Sequence, residues 1–457
     1  MASPAIKSDG LKELWSRLRF VLLAIIIYRI GTHIPVPGID PLKISSLFDQ
    51  NQGTLLGLFN MFSGGALERM SIMALNVIPY ITAAIVMNLL EATTPSLKKL
   101  FRQEGEVGRR KRTNYVRLGT LVLAIFQSSG FAIALSSQGL AVEPGYGFIF
   151  TAIVSFVTGT MFLVWLGEQV NERGIGNGIS LIIFASIVSG LPGAIGQSFE
   201  SARQGEISLI LLLLIGLFAL VAIAFIVWVE RAQRRVSVNY ARRAPNQMSM
   251  SQASHLPLKV NMAGVIPAIF ASSLVLFPAS LSTWFGQAEG FGWLQEVSLA
   301  LSPGQPLYSI VFAILIAYFC FFYTAIQFPA KDIADNLKKS GGFLPGIRPG
   351  DHTVEYIDNV MSRLTIWGSI YMVIVCLAPQ FLIASANVPF YLGGTSLLIA
   401  VVVVMDFMAQ VQSHLLSSQY QSLMKKANLK GYQRLSLIHI SEPTRQAEIS
   451  YAVFCLK

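Results

Sequence analysis

Charge is scarce in this chain. Asp, Glu, Lys and Arg make up 13% of its 457 residues, about half the share usual in a soluble domain, while 53% are hydrophobic. That balance excludes an ordinary water-soluble protein and points to an integral membrane protein. The three cysteines, Cys320, Cys376 and Cys455, lie far apart, which excludes a disulfide framework and a C-x-x-C site. The five histidines (His33, His255, His352, His414 and His439) are equally scattered, so no metal or other cofactor is expected. A G-x-x-x-x-G-K-[ST] loop is missing, so any nucleotide hydrolysis has to come from a partner, and no enzyme chemistry is expected. The run Gly174-Ile175-Gly176-Asn177-Gly178-Ile179-Ser180 has G-x-G-x-G spacing and no preceding strand, and reads as a tight turn leading into a span. Ionisable residues are nearly absent from the middle of the apolar runs. Arg29, Glu168, Glu230 and Asp406 fall towards their ends, where snorkelling or interface anchoring accounts for them.

What is present is a succession of apolar runs of spanning length. They fall at about 20–38, 76–93, 115–135, 148–170, 179–196, 208–230, 259–282, 306–328, 361–382 and 390–411, which makes ten spans. The first run follows basic residues as a signal peptide would, but YRIGTHIPVP offers no small-residue cleavage site, so it reads as a retained span. Of the 34 Lys and Arg residues, 30 fall on alternate connections and the two ends, and only Arg29, Lys43, Arg69 and Arg203 fall elsewhere. The positive-inside rule then puts both termini in the cytoplasm. Five spans on either side of residue 196 invite an inverted-repeat reading, since an odd number per half reverses the topology of the second.

Residues 55–91 (LLGLFNMFSGGALERMSIMALNVIPYITAAIVMNLLE) are mostly apolar yet too long for one straight crossing of a ~30 Å hydrocarbon core. Ser63-Gly64-Gly65 supplies a turn, and Asn76 with Pro79 interrupts and restarts a helix just after Leu75. Two readings stay open: a kinked structural hairpin, or a half-helix marking a pore or binding site. Three basic connections also stand out: 95–117 with GRRKR, 231–259 with RAQRR and YARRAPNQMSMSQ, and 331–363 with NLKKSGGFLPGIRPG. Plain positive-inside topology and a docking surface for acidic or nucleic-acid-rich partners both account for them, and their length favours docking. Inside the spans the polar content is Ser, Thr, Asn and Gly, including Thr82, Asn88, Ser180, Asn261, Ser272, Ser273, Thr395 and Ser396. A pathway walled this way suits a heterogeneous object better than one solute.

The stretches FNMFSGGALERMSIMALNVIPYI, GTLVLAIFQSSG, WLGEQVNERGIGNGIS, HLPLKVNMAGVIPAIFASS, ADNLKKSGGFLPGIRPG, VPFYLGGTSLLI and MDFMAQVQSHLLSSQY carry a resemblance. Through them the chain resembles the SecY/Sec61-alpha family, the channel-forming subunits of the Sec protein translocase, from about residue 11 to Arg434. The resemblance implies an all-α polytopic membrane protein of ten transmembrane helices, arranged as two inverted five-helix halves in a clamshell with a plug half-helix. The amino-terminal half is expected over 1–195 with the plug at 57–75. The carboxy-terminal half is expected over 196–434, with cytoplasmic loops at 231–258 and 329–360. By resemblance the pore ring is Val77, Ile81, Ile179, Ile183, Ile269 and Ile399, with Val77 where isoleucine is commoner. The plug includes Phe62, Ser63, Gly64, Gly65 and Ala66, and the lateral gate carries Thr82, Asn88 and Asn261. Arg242, Arg243 and Arg348 are implied contacts for the motor ATPase SecA and for the ribosome with its nascent chain. SecE and SecG subunits, YidC, SecDF and anionic lipids are further implied partners, and the bacterial inner membrane the implied location. The function implied is translocation of unfolded secretory polypeptides, with lateral release of transmembrane segments into lipid. Residues read without the resemblance leave open a small-solute secondary transporter with a broken-helix site, and a membrane scaffold. Resemblance stops near KANLKGYQR, and 435–457 (LSLIHISEPTRQAEISYAVFCLK) is expected to be a non-native tail.

Overall fold

The computed structural model describes residues 8–40, 60, 63–102, 105–143, 145–205, 208–240, 254–285, 292–302, 304–386 and 393–426. Among the described residues thirteen helices follow one another: α1 (Ser8–Gly31), α2 (Ile78–Thr93), α3 (Pro95–Arg102), α4 (Glu106–Ser137), α5 (Tyr146–Arg173), α6 (Gly178–Arg203), α7 (Leu209–Arg231), α8 (Ile266–Phe285), α9 (Gly292–Ala300), α10 (Pro306–Gln327), α11 (Ala330–Lys339), α12 (Asp351–Ala386) and α13 (Gly394–Lys426). Among the described residues seven are long and apolar enough to cross a bilayer, and α2 and α8 are shorter apolar helices. With α1 they make the ten spans expected. The expected tail at 435–457 lies outside the described residues.

Helix ends follow local chemistry. Beyond Gly31 the prolines Pro35 and Pro37 cannot continue a helix, and the chain runs on to residue 38 through two turns with a β-bridge between them at Pro35. Val36 N donates to Met70 O at 2.9 Å and Ile72 N to Ile34 O at 3.0 Å, so this extension is hydrogen-bonded to the segment before α2. The G-x-G-x-G turn ends on Asn177, whose side chain caps α6 by accepting from Ile179 N and Ser180 N. Ser208 caps α7 in the same way through Leu211 N. Several helices overrun their apolar windows: α4 begins at Glu106, α12 at Asp351, and α13 runs to Lys426. Helix propagation needs no apolar residues, so polar turns extend these rods past the span.

The seventh span begins later than expected. Residues 254–259 form strand β2 (Ser254–Lys259), antiparallel to β1 (Gln233–Tyr240), and α8 starts only at Ile266 after a turn. A two-residue β3 (Gly342–Phe343) pairs the other edge of β1. Two long connections expected as loops therefore meet in one small sheet. Under it lies a separate apolar cluster that includes Val236, Val238, Leu258, Ala334, Leu344 and Ile357, drawn from both connections and from α12.

The spans group as two sets of five. In the first, α2 packs on α4, α4 on α5 and α5 on α6; in the second, α8 packs on α10, α10 on α12 and α12 on α13. The sets meet on two sides. On one, α8 lies against α2 and α4; on the other, α13 lies against α1 and α6. The main apolar cluster draws on both sets, whereas a second cluster around Val36, Leu67, Leu75, Phe131 and Phe156 belongs wholly to the first. α7 leaves Leu213, Leu217, Leu220 and Trp228 exposed, as a helix facing lipid does.

Phe156 is fully buried, with the Phe131 ring centroid 5.4 Å from its own. Phe156→Ala is expected to destabilise the chain by about 3 kcal/mol through the cavity it leaves. Thermal unfolding of the detergent-purified protein measures this, and an unchanged midpoint would contradict the packing.

Candidate functional site

The six aliphatic side chains of the expected ring come from four helices, two in each set. Val77 immediately precedes α2 and Ile81 lies on it; Ile179 and Ile183 share a face of α6; Ile269 lies on α8 and Ile399 on α13. Five are buried and Ile179 half-buried, and all belong to the main apolar cluster. Val77, Ile81, Ile183 and Ile269 line one cavity together with Asn76, Ser272 and Ser273. Its volume is about 10 Å³, room for about one water molecule. Branched aliphatic groups offer water and ions no hydrogen bonds, and the polar part of the wall is Asn76, Ser272 and Ser273. Their contacts with an extended chain are non-directional, hence tolerant of sequence.

Below the collar runs the expected plug. Phe62 and residues 57–59 and 61 lie outside the described residues, while Ser63, Gly64, Gly65 and Ala66 open a set of turns that reaches Val77. Gly64 and Gly65 take positive φ, as do Met70 and Asn76. A Cβ on Gly64 would stand 3.0 Å from the Ser186 backbone, so the plug backbone rests directly on α6. On the far side Gly159 of α5 lets the Ile72 carbonyl approach to a distance that any side chain there would block.

Polar groups hold this segment. Tyr28 Oη donates to Ser63 O at 3.1 Å and lies 2.6 Å from Ser186 Oγ. Asn76 Nδ2 donates to the same Ser186 Oγ at 3.0 Å, and Arg29 Nη1 donates to Gly64 O at 3.0 Å. Sequence reading treated Asn76 only as a helix break and passed over Tyr28 and Ser186. The available signal was a hydroxyl in each of two apolar runs, which cannot be paired without the fold.

The three expected gate residues are placed apart. Thr82 Oγ1 donates to Ile78 O of its own helix. Asn88 Oδ1 accepts from Arg112 Nη2 at 2.5 Å, and Arg112 also pairs with Glu91, which ties α2 to α4. Asn261 Nδ2 donates to Glu230 Oε1 at 2.7 Å and to Gly264 O at 3.1 Å, which ties the root of α8 to α7. Glu230 is therefore a buried partner and not an interface anchor, whereas Glu168 forms a two-pronged ion pair with Arg117 at 2.8 and 2.6 Å. Arg348 is exposed in the turn before α12. Arg242 and Arg243 lie outside the described residues.

The SecY family model matches residues 71–408. The chain is 63% identical over 432 residues to protein translocase subunit SecY of Pseudomonas aeruginosa, covering 94% of this chain and 98% of that one. It is 57% identical over 430 residues to the Escherichia coli K12 subunit of the same name, covering 93% and 97%. Among solved structures it shares its fold with one described as a protein conducting channel, at TM-score 0.63 and 19% identity over 89% of this chain and 93% of that one. Sec61 in a canine ribosome-channel complex matches at TM-score 0.60 and 18% identity, with the same coverage.

Glu230→Ala removes the acceptor of a buried amide and is expected to cost about 1–3 kcal/mol. Hydrogen–deuterium exchange at 261–265 should speed up; protection equal to the parent protein's would show that Glu230 does not root α8.

Proposed function

We propose how this chain works from the premise that it belongs to the SecY family of protein translocase subunits. It is a multi-pass membrane protein and a protein-conducting translocation channel; its work is conduction, not catalysis. The comparisons lend no support to the solute-transporter reading.

The constriction is the collar of Val77, Ile81, Ile179, Ile183, Ile269 and Ile399. One observation carries this assignment: Val77, Ile81, Ile183 and Ile269, from three helices and both halves, line a single water-sized cavity, and Ile179 and Ile399 pack in the same apolar cluster. Residues 57–75, including Phe62, Ser63, Gly64, Gly65 and Ala66, are the plug that fills the funnel beside it. The lateral exit lies where α8 meets α2, and Thr82, Asn88 and Asn261 brace the flanking helices within their own halves. A hydrophobic signal or transmembrane segment that binds there better in the parted state shifts the halves apart and leaves sideways into lipid. Secreted chains pass along the axis.

The Lys and Arg distribution supports a cytoplasmic location for both termini and for the sheet-bearing loops, in the inner membrane of a bacterium. Arg242, Arg243 and the exposed Arg348 suit the anionic surfaces of a ribosome or of the SecA motor. That Sec61 is found in a ribosome-channel complex supports the first of these. The lipid-facing α7 offers room for SecE, SecG, YidC or SecDF, and the basic 95–117 connection suits anionic headgroups.

Deleting 57–75, or replacing Ile81 and Ile183 with Gly, is expected to raise resting ion leak in proteoliposomes; unchanged conductance removes the collar and plug assignment. Arg348→Glu is expected to abolish motor-driven translocation while the channel still assembles, and intact secretion would remove that contact.

A further inference from the structure

The hydrogen bonds around Tyr28 have no part in conduction as described. They meet the plug at both ends: Ser63 contributes a carbonyl where the turns begin, and Asn76 contributes its amide where they finish. We propose that Tyr28, Ser186 and Asn76 form a polar latch that holds the plug shut and releases independently of the parting of the halves. Arg29 on the Gly64 carbonyl is a second point of attachment. All four are positioning residues, and the proposal rests on the plug assignment above.

The geometry carries this in three steps. First, the groups form one connected set: Asn76 Nδ2 donates to Ser186 Oγ, which lies 2.6 Å from Tyr28 Oη and also reaches Ile182 O of its own turn at 2.9 Å, while Tyr28 Oη reaches the Ser63 carbonyl. Tyr28, Ser63, Asn76 and Ser186 are each at most 1% exposed, so bulk solvent does not reach them while the plug is seated. A buried chain of this kind is held whole or given up together, because each unmade bond strands a polar group. Second, every member belongs to the first set of helices or to the plug itself. Moving α8 away from α2 breaks none of these bonds, so the sideways exit and the plug are two separate locks. Third, the latch adjoins the collar. Asn76 precedes Val77, with its Oδ1 accepting from Val77 N at 2.8 Å, and Ser186 stands three residues beyond Ile183 on α6. A chain that spreads Val77 from Ile183 therefore pulls Asn76 from Ser186. Occupation of the waist, not separation of the halves, is the event that frees the plug.

The test uses the full channel with its native partner subunits in proteoliposomes, comparing Tyr28→Phe, Ser186→Ala, the double variant and the deletion of 57–75. Each single variant is expected to raise resting ion conductance by on the order of tenfold, the scale of one stranded buried polar group. The double variant should leak no more than the leakier single, since both break one network. In cells the single variants should also export a reporter with a weakened signal sequence better than the parent, a gain that a folding defect cannot produce. Leak should persist when α2 and α8 are cross-linked. If both singles seal like the parent while the deletion leaks, the latch is wrong and the plug stands. If the deletion seals too, the plug reading falls and takes the latch with it. Leak abolished by the cross-link overturns the independence of the two locks. Should Tyr28→Phe fail to assemble, Ser186→Ala carries the same measurement.

Discussion

A backbone inside hydrocarbon has to satisfy its own hydrogen bonds, and residues 63–77 are where this chain does so without a helix. The solution is distributed over neighbouring elements. Ser63 Oγ accepts from Leu67 N, Ala66 O from Ser71 N, Ile34 O from Ile72 N, and Met70 O from Val36 N. Two of these bonds are internal to the segment, and the other two come from the proline-stopped stretch after α1, while Tyr28, Arg29 and Ser186 add side-chain bonds from α1 and α6. The first set of helices is thus shaped around an irregular segment that could not exist in lipid alone. Its apolar bed, from Val36 to Phe156, is a cluster of its own and owes nothing to the second set.

The two halves differ from their common border in what holds them. Within a half, polar side chains are consumed locally: Asn88 and Glu91 with Arg112, Arg117 with Glu168, Asn261 with Glu230. These bonds brace each helix that faces the α2–α8 seam against its own neighbours, so what meets at the seam is chiefly packed apolar surface. On the opposite side Gln410 of α13 accepts from Gly176 N at 2.8 Å, a direct tie between the halves. One border carries this bond, and the other is chiefly apolar packing. Such an arrangement favours rotation about the bonded side, and interhelical polar bonds in membranes are individually weak, about 0.6 kcal/mol, so neither border is rigid.

Much of this was legible in the residues. The length of 55–91 demanded a break, and Gly64-Gly65 and Asn76-Pro79 stand where the turns begin and where α2 restarts. Span number followed from hydropathy because a bilayer admits few other solutions. The sheet was not legible: β3 comes from a second connection, more than eighty residues beyond β2, and Pro257 within β2 argues locally against a strand unless it lies on an edge, which it does. The start of α8 was misread for the same reason, since a polar strand and turn directly abut the apolar run. Glu230 read as an interface residue because nothing in sequence says which carboxylate has an amide 31 positions away to receive. The six ring candidates could not be told from ordinary core by composition at all; that four of them line one cavity is visible only in the fold.

The turn bearing Arg348 is followed within three residues by α12, whose helix of 36 residues is interrupted only at Pro379. From Asp351 to that proline the rod is about 40 Å long at 1.5 Å per residue. Thr353 Oγ1 donates to the Arg348 carbonyl at 3.0 Å, so the arginine-bearing tip is joined to the shaft, not swinging from it. A machine that leans on this tip therefore has a lever rather than a tether: thrust or torque applied in water arrives, little attenuated, among the packed side chains of the opposite leaflet.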